Sequence, residues 1–184
     1  MCHYFDIIGS GEVLILQLLV LSSIIISIII WIKLYLQNGL EKELWTYAPA
    51  IIFWIVFGTL DILVTAKGTF LDPYREGNPL ARFIFVESGY LGPVIASILW
   101  ISLWAGIVLL INKAKINGAA FFSCAIFWSL AVGHLFGFSS WFIPMCAISE
   151  NYRLFFSEVP RVIKIILIGM VIAIFQYSGV KKIN

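Results

Sequence analysis

Five long apolar stretches occupy most of the chain, and their length limits the fold more than any other feature. A helix needs about 20 predominantly apolar residues to cross the hydrocarbon core of a bilayer. We therefore predict an all-α integral membrane protein, a compact bundle of about five transmembrane helices in a single domain, 1–184. The predicted spans are 13–36, 44–66, 90–111, 118–138 and 162–177.

Composition supports this class and excludes others. Apolar residues make up 61% of the chain, charged residues only 12%, and the mean hydropathy is +1.01. A soluble domain is typically about 45–50% apolar and about 25% charged. No polar stretch is long enough for a separate soluble domain. The formal charge of +2 and the lack of a basic run argue against nucleic-acid binding.

The connector 67–87 is the most polar segment, and its second half carries residues that favour the start of a helix. Asn78 is a favoured N-cap residue, and Pro79 suits the first helical position. We predict a short interfacial helix over about 79–87. After span four, residues 139–148 either continue the helix or form a re-entrant piece, since Pro144 indicates a break or kink.

The positive charges give weak information on orientation. Lys and Arg divide equally between the two predicted sides of the membrane, so the positive-inside rule does not choose between them. The N-terminal tail lacks Lys and Arg, whereas the turn after span three and the C-terminal tail are basic. We predict a multi-pass protein of the cell membrane with its N-terminus outside and its C-terminus in the cytoplasm.

An acidic residue, Asp61, lies inside span two. Such a residue costs about 2.5–3.5 kcal/mol on insertion scales, and intramembrane ionisable groups are functional candidates by default. Thr65 follows at i+4 and shares its helix face. Spans two and four run in the same direction, so His134 lies at a depth similar to that of Asp61. Glu76 follows in the connector on that side of the membrane.

These residues permit two interpretations. Asp61, Glu76 and His134 could act as acid and base or ligate a divalent cation, while Thr65 and Asn78 bind or orient a substrate. Alternatively, Asp61 and His134 form hydrogen bonds to neighbouring helices and only fix their packing. For Glu76 we predict a fold back toward Asp61, His134 or a cation; Arg75, Arg82 or Arg153 could equally be its partner.

Span four carries small residues at every fourth position, at Ala125, Ser129, Gly133 and Gly137. Such a ridge lets another helix approach closely. The ridge either packs against a helix of the same chain or contacts a partner subunit or a second copy. The first alternative is favoured.

The pattern Asp61-x-x-x-Thr65, then Glu76-x-Asn78-Pro79-Leu80, then a late His134, resembles a family of small bacterial and archaeal multi-pass membrane proteins catalogued as a domain of unknown function. The resemblance covers about residues 55–138. It implies that these residues belong together, and it implies no activity. Family members often carry a lysine in the span after the motif, and span three here has none.

Three functions are compatible with the sequence. The first is a structural or accessory subunit of a larger membrane complex, which fits the small size and the small-residue ridge. The second is a membrane-embedded hydrolase or transferase acting on a lipid or membrane peptide through Asp61, Glu76 and His134. The third, a small transporter or ion-binding protein using the same acids, is the weakest, because we find no internal repeat.

Overall fold

The structure, a computed structural model, describes residues 11–71, 76, 78–140 and 161–181, and this part of the chain is built from helices. The all-α prediction is confirmed. A single 3-10 turn, Gly89–Leu91, joins the third and fourth helices. The helices are α1 (Gly11–Gln37), α2 (Glu41–Leu71), α3 (Pro79–Ser88), α4 (Gly92–Lys113), α5 (Ala119–Ser140) and α6 (Arg161–Lys181).

Four helical segments are long and apolar enough to cross a membrane: Gly11–Gln37, Glu41–Phe70, Leu80–Lys113 and Ala119–Ser139. The apolar part of α6, Val162–Ser178, is shorter than these four. The protein is therefore a multi-pass membrane protein. Outward-facing side chains on α1 and α6 are large and apolar, as lipid contact requires; Ile29 is 60% exposed and Phe175 is 75% exposed.

Helix α1 shows how an apolar helix selects its inner face. Val13, Leu16, Val20, Ile24 and Ser27 are buried at spacings of three or four residues. This spacing places them on one side of a helix with 3.6 residues per turn. The rest of α1 is equally apolar, so its inner face is set by packing and by small or polar side chains.

The helix ends mostly match the predicted spans, with one informative difference. Span two was predicted to end at residue 66, but α2 continues to Leu71. Lys67, predicted to begin the polar connector, lies in this helix and is only 8% exposed. A cation near a helix C-terminus interacts favourably with the helix dipole. At the end of α5 the helix reaches Ser140, and 141–148 lie outside the described residues.

The chain divides into two compact units. Among the described residues, the N-terminal unit comprises 11–40, 59–71, 76 and 78–110, and the C-terminal unit comprises 41–58, 111–140 and 161–181. Helix α2 contributes its first half to the C-terminal unit and its second half to the N-terminal unit. That residues 1–184 form one domain stays a prediction.

In the N-terminal unit, α1 and α4 run in the same direction. Tyr35 of α1 donates a hydrogen bond to the carbonyl oxygen of Ala105, and Ser23 bonds Ser97 nearer the helix starts. The residue numbers of the bonded partners rise together along both helices, which is the pattern of helices that run in the same direction. Helix α2 runs the opposite way, since Gln17 near the start of α1 donates to the carbonyl oxygen of Leu63 near the end of α2.

In the C-terminal unit, α2 and α5 run in the same direction, as predicted for spans two and four. Tyr47 of α2 is joined through Asn112 to Ser123 of α5, and further along both helices the rings of Trp54 and Phe127 lie 4.9 Å apart. Helix α6 packs along α5 in the opposite direction, since Phe121 meets Tyr177 at one end and Gly133 meets Ile165 at the other. Within each unit the helix directions thus match the alternation expected of successive membrane spans.

Candidate functional site

The connector motif forms the N-terminus of α3. The Asn78 side-chain oxygen accepts hydrogen bonds from the backbone N–H groups of Leu80 (3.0 Å) and Ala81 (3.4 Å). Asn78 has the extended backbone of an N-cap, and Pro79 takes the first helical position. The predicted cap and short helix are therefore confirmed, and α3 covers residues 79–88 rather than 79–87. Its place in the membrane interface stays a prediction.

Glu76 takes part in the same turn. Its carboxylate oxygen Oε1 accepts a hydrogen bond from the backbone N–H of Asn78 at 2.7 Å. Arg82 Nε donates to the Glu76 carbonyl oxygen at 2.8 Å, one turn into α3. A carboxylate beside a helix N-terminus is favoured by the helix dipole. These contacts give Glu76 a local structural role, which the sequence analysis did not assign to it.

Replacing Asn78 by alanine should loosen the first turn of α3. Loss of an N-cap side chain typically costs about 0.5–2 kcal/mol. We therefore expect faster hydrogen exchange at the amides of Leu80 and Ala81 in lipid nanodiscs, by roughly tenfold for each 1.4 kcal/mol. Asn78→Asp keeps a capping oxygen and serves as the control, with exchange close to that of the wild type. Equal exchange in Asn78→Ala and Asn78→Asp would contradict the assigned cap.

Asp61 begins a polar stripe on the last three turns of α2. Asp61 is half-buried, Thr65 is 8% exposed and Thr69 is 4% exposed. The three lie at steps of four residues, so they follow one side of the helix. The Thr69 hydroxyl donates to the Thr65 carbonyl oxygen at 2.8 Å. This stripe extends the predicted Asp61–Thr65 pair by one turn.

Residues 64–69 of α2 are all buried, on every side of the helix. Apolar and polar side chains alike are covered there, including Lys67. Helix positions become buried all round when protein surrounds the helix. The end of α2 is therefore a protein-enclosed segment, and Thr65 and Thr69 of its polar stripe face protein.

His134 is half-buried on α5 and belongs to the C-terminal unit, whereas Asp61 and Glu76 belong to the N-terminal unit. Within the described part of the chain, no group of three or more His, Cys, Asp or Glu side chains could hold a metal ion. The structure thus gives the divalent-cation hypothesis no support. The catalytic roles of Asp61, Glu76 and His134 stay predictions.

The N-terminal unit uses polar side chains to join its helices. The hydroxyl oxygens of Ser23 and Ser97 lie 2.7 Å apart, and Ser97 is fully buried. Near the other end of α1, the Tyr35 hydroxyl donates to the Ala105 carbonyl oxygen at 3.0 Å. Sequence reasoning missed these bonds, because an isolated serine or tyrosine in a span does not show which helix it will meet.

A second polar cluster lies in the C-terminal unit. Tyr47 is fully buried on α2, and its hydroxyl donates to the Asn112 side-chain oxygen at 2.9 Å. Asn112 Nδ2 donates in turn to the Ser123 hydroxyl of α5 at 3.2 Å. Asn112, near the end of α4, therefore bridges α2 and α5. The available signal was Asn112 itself, a polar residue beside a long apolar run.

Gln176 of α6 joins three helices. Its Oε1 accepts from the Trp128 indole N–H of α5 at 2.6 Å, and its Nε2 donates to the Thr46 carbonyl oxygen of α2 at 2.8 Å. Thr46 lies in the turn just before Pro49, which has no N–H to donate. The carbonyl oxygen that a residue-49 N–H would have bonded is that of Trp45, so Gln176 bonds the carbonyl next to it in the same turn.

The small-residue ridge of α5 packs against α6 of the same chain. A Cβ built on Gly133 would lie 3.5 Å from Ile165 Cγ2, an ordinary contact. A Cβ built on Gly169 of α6 would lie only 2.6 Å from Ser129 Cα. The backbones of α5 and α6 therefore nearly touch at Ser129. This agrees with the predicted packing within the chain, and sequence analysis missed Gly169 as the partner of the ridge.

A cavity of about 200 Å³ lies in the N-terminal unit where α2 ends and α4 begins. Two of the described wall residues carry hydroxyl groups, and both donate within the protein: Thr69 to the Thr65 carbonyl oxygen, and Tyr90 to the Glu12 carbonyl oxygen at 3.1 Å. The other described side chains of the wall are apolar. The wall includes Leu16, Thr69, Phe70, Phe85, Tyr90 and Pro93.

Comparison with protein families, curated proteins and solved structures gave no match. The resemblance of residues 55–138 to a family of unknown function therefore stays a prediction. The arguments about function depend on the residues and contacts of this chain alone.

Proposed function

We propose that this multi-pass membrane protein is a structural or accessory subunit of a larger membrane complex. One observation carries the proposal: polar side chains within the spans form hydrogen bonds from one helix to another. Ser23 meets Ser97, Tyr47 meets Asn112, and Gln176 meets both Trp128 and α2. Interhelical hydrogen bonds in membrane proteins average about 0.6 kcal/mol each, so together they make a firm scaffold.

The outer surface supports the same proposal. α6 presents large apolar side chains outward along its length, and Phe175 is 75% exposed. In the membrane this face contacts lipid or the helices of another subunit. The ridge at Ser129 and Gly133 is occupied by α6, so the proposed partner contact does not use it.

The experiment is a mass measurement on the complete chain extracted with its surrounding lipids. An affinity-tagged chain at its native expression level is isolated in lipid nanodiscs formed directly from the membrane, and native mass spectrometry gives the mass of the assembly. We expect a mass above the 20.7 kDa of one chain, with a second protein present in fixed stoichiometry. An unrelated membrane protein with the same tag controls for non-specific capture.

A chain variant serves as the matched control. Gly133→Ala is accommodated by the α5–α6 contact and should keep the assembly. Gly169→Ala disturbs the same contact and should release the second protein. A wild-type chain that is recovered only as a stable monomer contradicts the proposal.

The enzyme and transporter hypotheses stay predictions. Both require Asp61, Glu76 and His134 to act together. The contacts described for Glu76 are local to the start of α3, and His134 lies in a different unit from Asp61.

A further inference from the structure

We propose that the cavity of the N-terminal unit binds the hydrocarbon chain of a bilayer lipid. The proposal goes beyond the accessory role and does not depend on it. It rests on where the cavity lies, on the chemistry of its wall and on its size.

The cavity lies at the ends of the candidate spans. Its wall is built from the beginning of α1, the end of α2 and the beginning of α4, which are helix ends on the same side of the membrane. The interfacial helix α3 and the turn Gly89–Leu91 complete the wall. The ends of spans lie near the boundary of the hydrocarbon layer, where lipid chains begin, so a chain that bends inward is close to the cavity.

Helix α3 faces two ways, as a cover over the cavity requires. Phe85 is 4% exposed and lines the cavity, whereas Leu80 is 65% exposed and Phe83 is 63% exposed. An amphipathic helix in the membrane interface places such outward apolar side chains among the lipids. α3 therefore contacts lipid on its outer side while its inner side closes the cavity.

The described wall provides packing contacts for an apolar guest and few hydrogen-bonding groups for a polar guest. The aromatic rings of Phe70 and Tyr90 meet edge to face, with their centroids 6.0 Å apart. The hydroxyl groups of Thr69 and Tyr90 already donate to backbone carbonyl oxygens. A water molecule needs about two to four polar partners to occupy a cavity. Among the described wall residues both hydroxyl donors are already used, which favours hydrocarbon.

The volume is suitable for part of an acyl chain. An apolar cavity of about 150 Å³ stays dry and takes up benzene or xenon. At about 200 Å³ the cavity is larger than that. An unfilled space of this size would leave its lining atoms without dispersion partners. A lipid chain supplies those partners from the surrounding bilayer.

The test uses the complete chain in phosphatidylcholine liposomes that contain phosphatidylcholine with a diazirine near the end of one acyl chain. Light converts the diazirine to a carbene, and mass spectrometry locates the labelled residues. Leu16 is 1% exposed and Phe85 is 4% exposed, so the outer lipid does not reach them. We expect label on these two side chains as well as on Ile29, which faces outward and confirms that the probe works.

A cavity-filling substitution provides the second measurement. Leu16→Phe places a larger side chain in the cavity, and labelling of Phe85 should fall roughly tenfold, equivalent to about 1.4 kcal/mol of binding free energy. Ile29→Phe adds the same volume on the lipid-facing side of α1 and should leave the labelling of Phe85 unchanged.

Three results would overturn the proposal. The first is label on Ile29 with none on Leu16 or Phe85 in the wild-type protein, which needs no variant to fold. The second is unchanged labelling of Phe85 in a folded Leu16→Phe protein. The third is labelling of Leu16 and Phe85 by a water-soluble diazirine instead of the lipid probe, which would mean that water fills the cavity.

Discussion

Gly169→Ala should destabilise the protein by about 1–3 kcal/mol, the usual cost of forcing extra carbon into a packed interior. A single Cβ at this position would lie 2.5 Å from Ser129 N and 2.6 Å from Ser129 Cα. Real Cβ atoms essentially never approach other heavy atoms so closely. Ser129 Oγ is also in the way, but the N and Cα atoms belong to the backbone of α5, so rotating the Ser129 side chain does not relieve the clash and the helices must separate.

Gly133→Ala is the matched control, since it makes the same change in the same helix pair. Its Cβ would meet Ile165 Cγ2 at an ordinary 3.5 Å. Alanine is about 0.8–1.0 kcal/mol more favourable than glycine inside a helix, so this variant should be neutral or slightly stabilised. The measurement is the free energy of unfolding of both variants in denaturing detergent. Equal changes in both variants would contradict the close approach at Ser129.

Gln176→Leu should also destabilise the protein, by about 1–3 kcal/mol, given that an interhelical hydrogen bond in a membrane averages about 0.6 and reaches about 1.7 kcal/mol. The leucine keeps much of the side-chain volume and loses the acceptor for the Trp128 indole N–H and the donor to the Thr46 carbonyl oxygen. The Trp128 indole N–H and the Thr46 carbonyl oxygen then lose their hydrogen bonds to Gln176, and such a loss is costly in a low-dielectric interior.

Ser22→Ala controls for the loss of any polar group from a span. Ser22 is exposed on α1, and its hydroxyl donates to the Leu18 carbonyl oxygen of the same helix. This bond joins no two helices, so its loss should leave the free energy of unfolding within about 0.5 kcal/mol of the wild type. If Gln176→Leu is no more destabilising than Ser22→Ala, the three-helix contact of Gln176 does not contribute to stability.

The sequence predicts the parts of this fold that depend on local chemistry. Apolar runs of about 20 residues predict the spans because backbone groups in a bilayer must be satisfied within the helix. The start of α3 was predictable for a similar reason, since Asn78 and Pro79 act on the turn that contains them. The end of α2 was placed too early because Lys67 and Gly68 resemble a stop signal, while the protein encloses both.

The contacts between helices could not be predicted in the same way. Gly169 looks like any small residue in a span, and only the approach of α5 shows why a side chain does not fit there. The bond between Ser23 and Ser97 joins residues 74 positions apart, and their spacing carries no sign of it. The hydrogen bond from the Asn78 N–H to the Glu76 carboxylate was not predicted either, and the role expected for Glu76 stays a prediction.

Together these contacts show that many polar side chains of the spans hold one helix against another. Asn112 links α2 to α5, Tyr35 links α1 to α4, and Gln176 links α6 to two other helices. A chain built in this way suits a scaffold within a membrane assembly. The cavity under α3 adds a place where that scaffold holds lipid.

The most direct test of this account is a double-mutant cycle on Trp128 and Gln176. Trp128→Phe removes the indole N–H and keeps a ring near Phe53, and Gln176→Leu removes the acceptor. The free energies of unfolding of the wild type, both single variants and the double variant give the coupling energy. The account predicts a coupling of about 0.6–1.7 kcal/mol, the range for interhelical bonds in membranes. Strictly additive effects would contradict it.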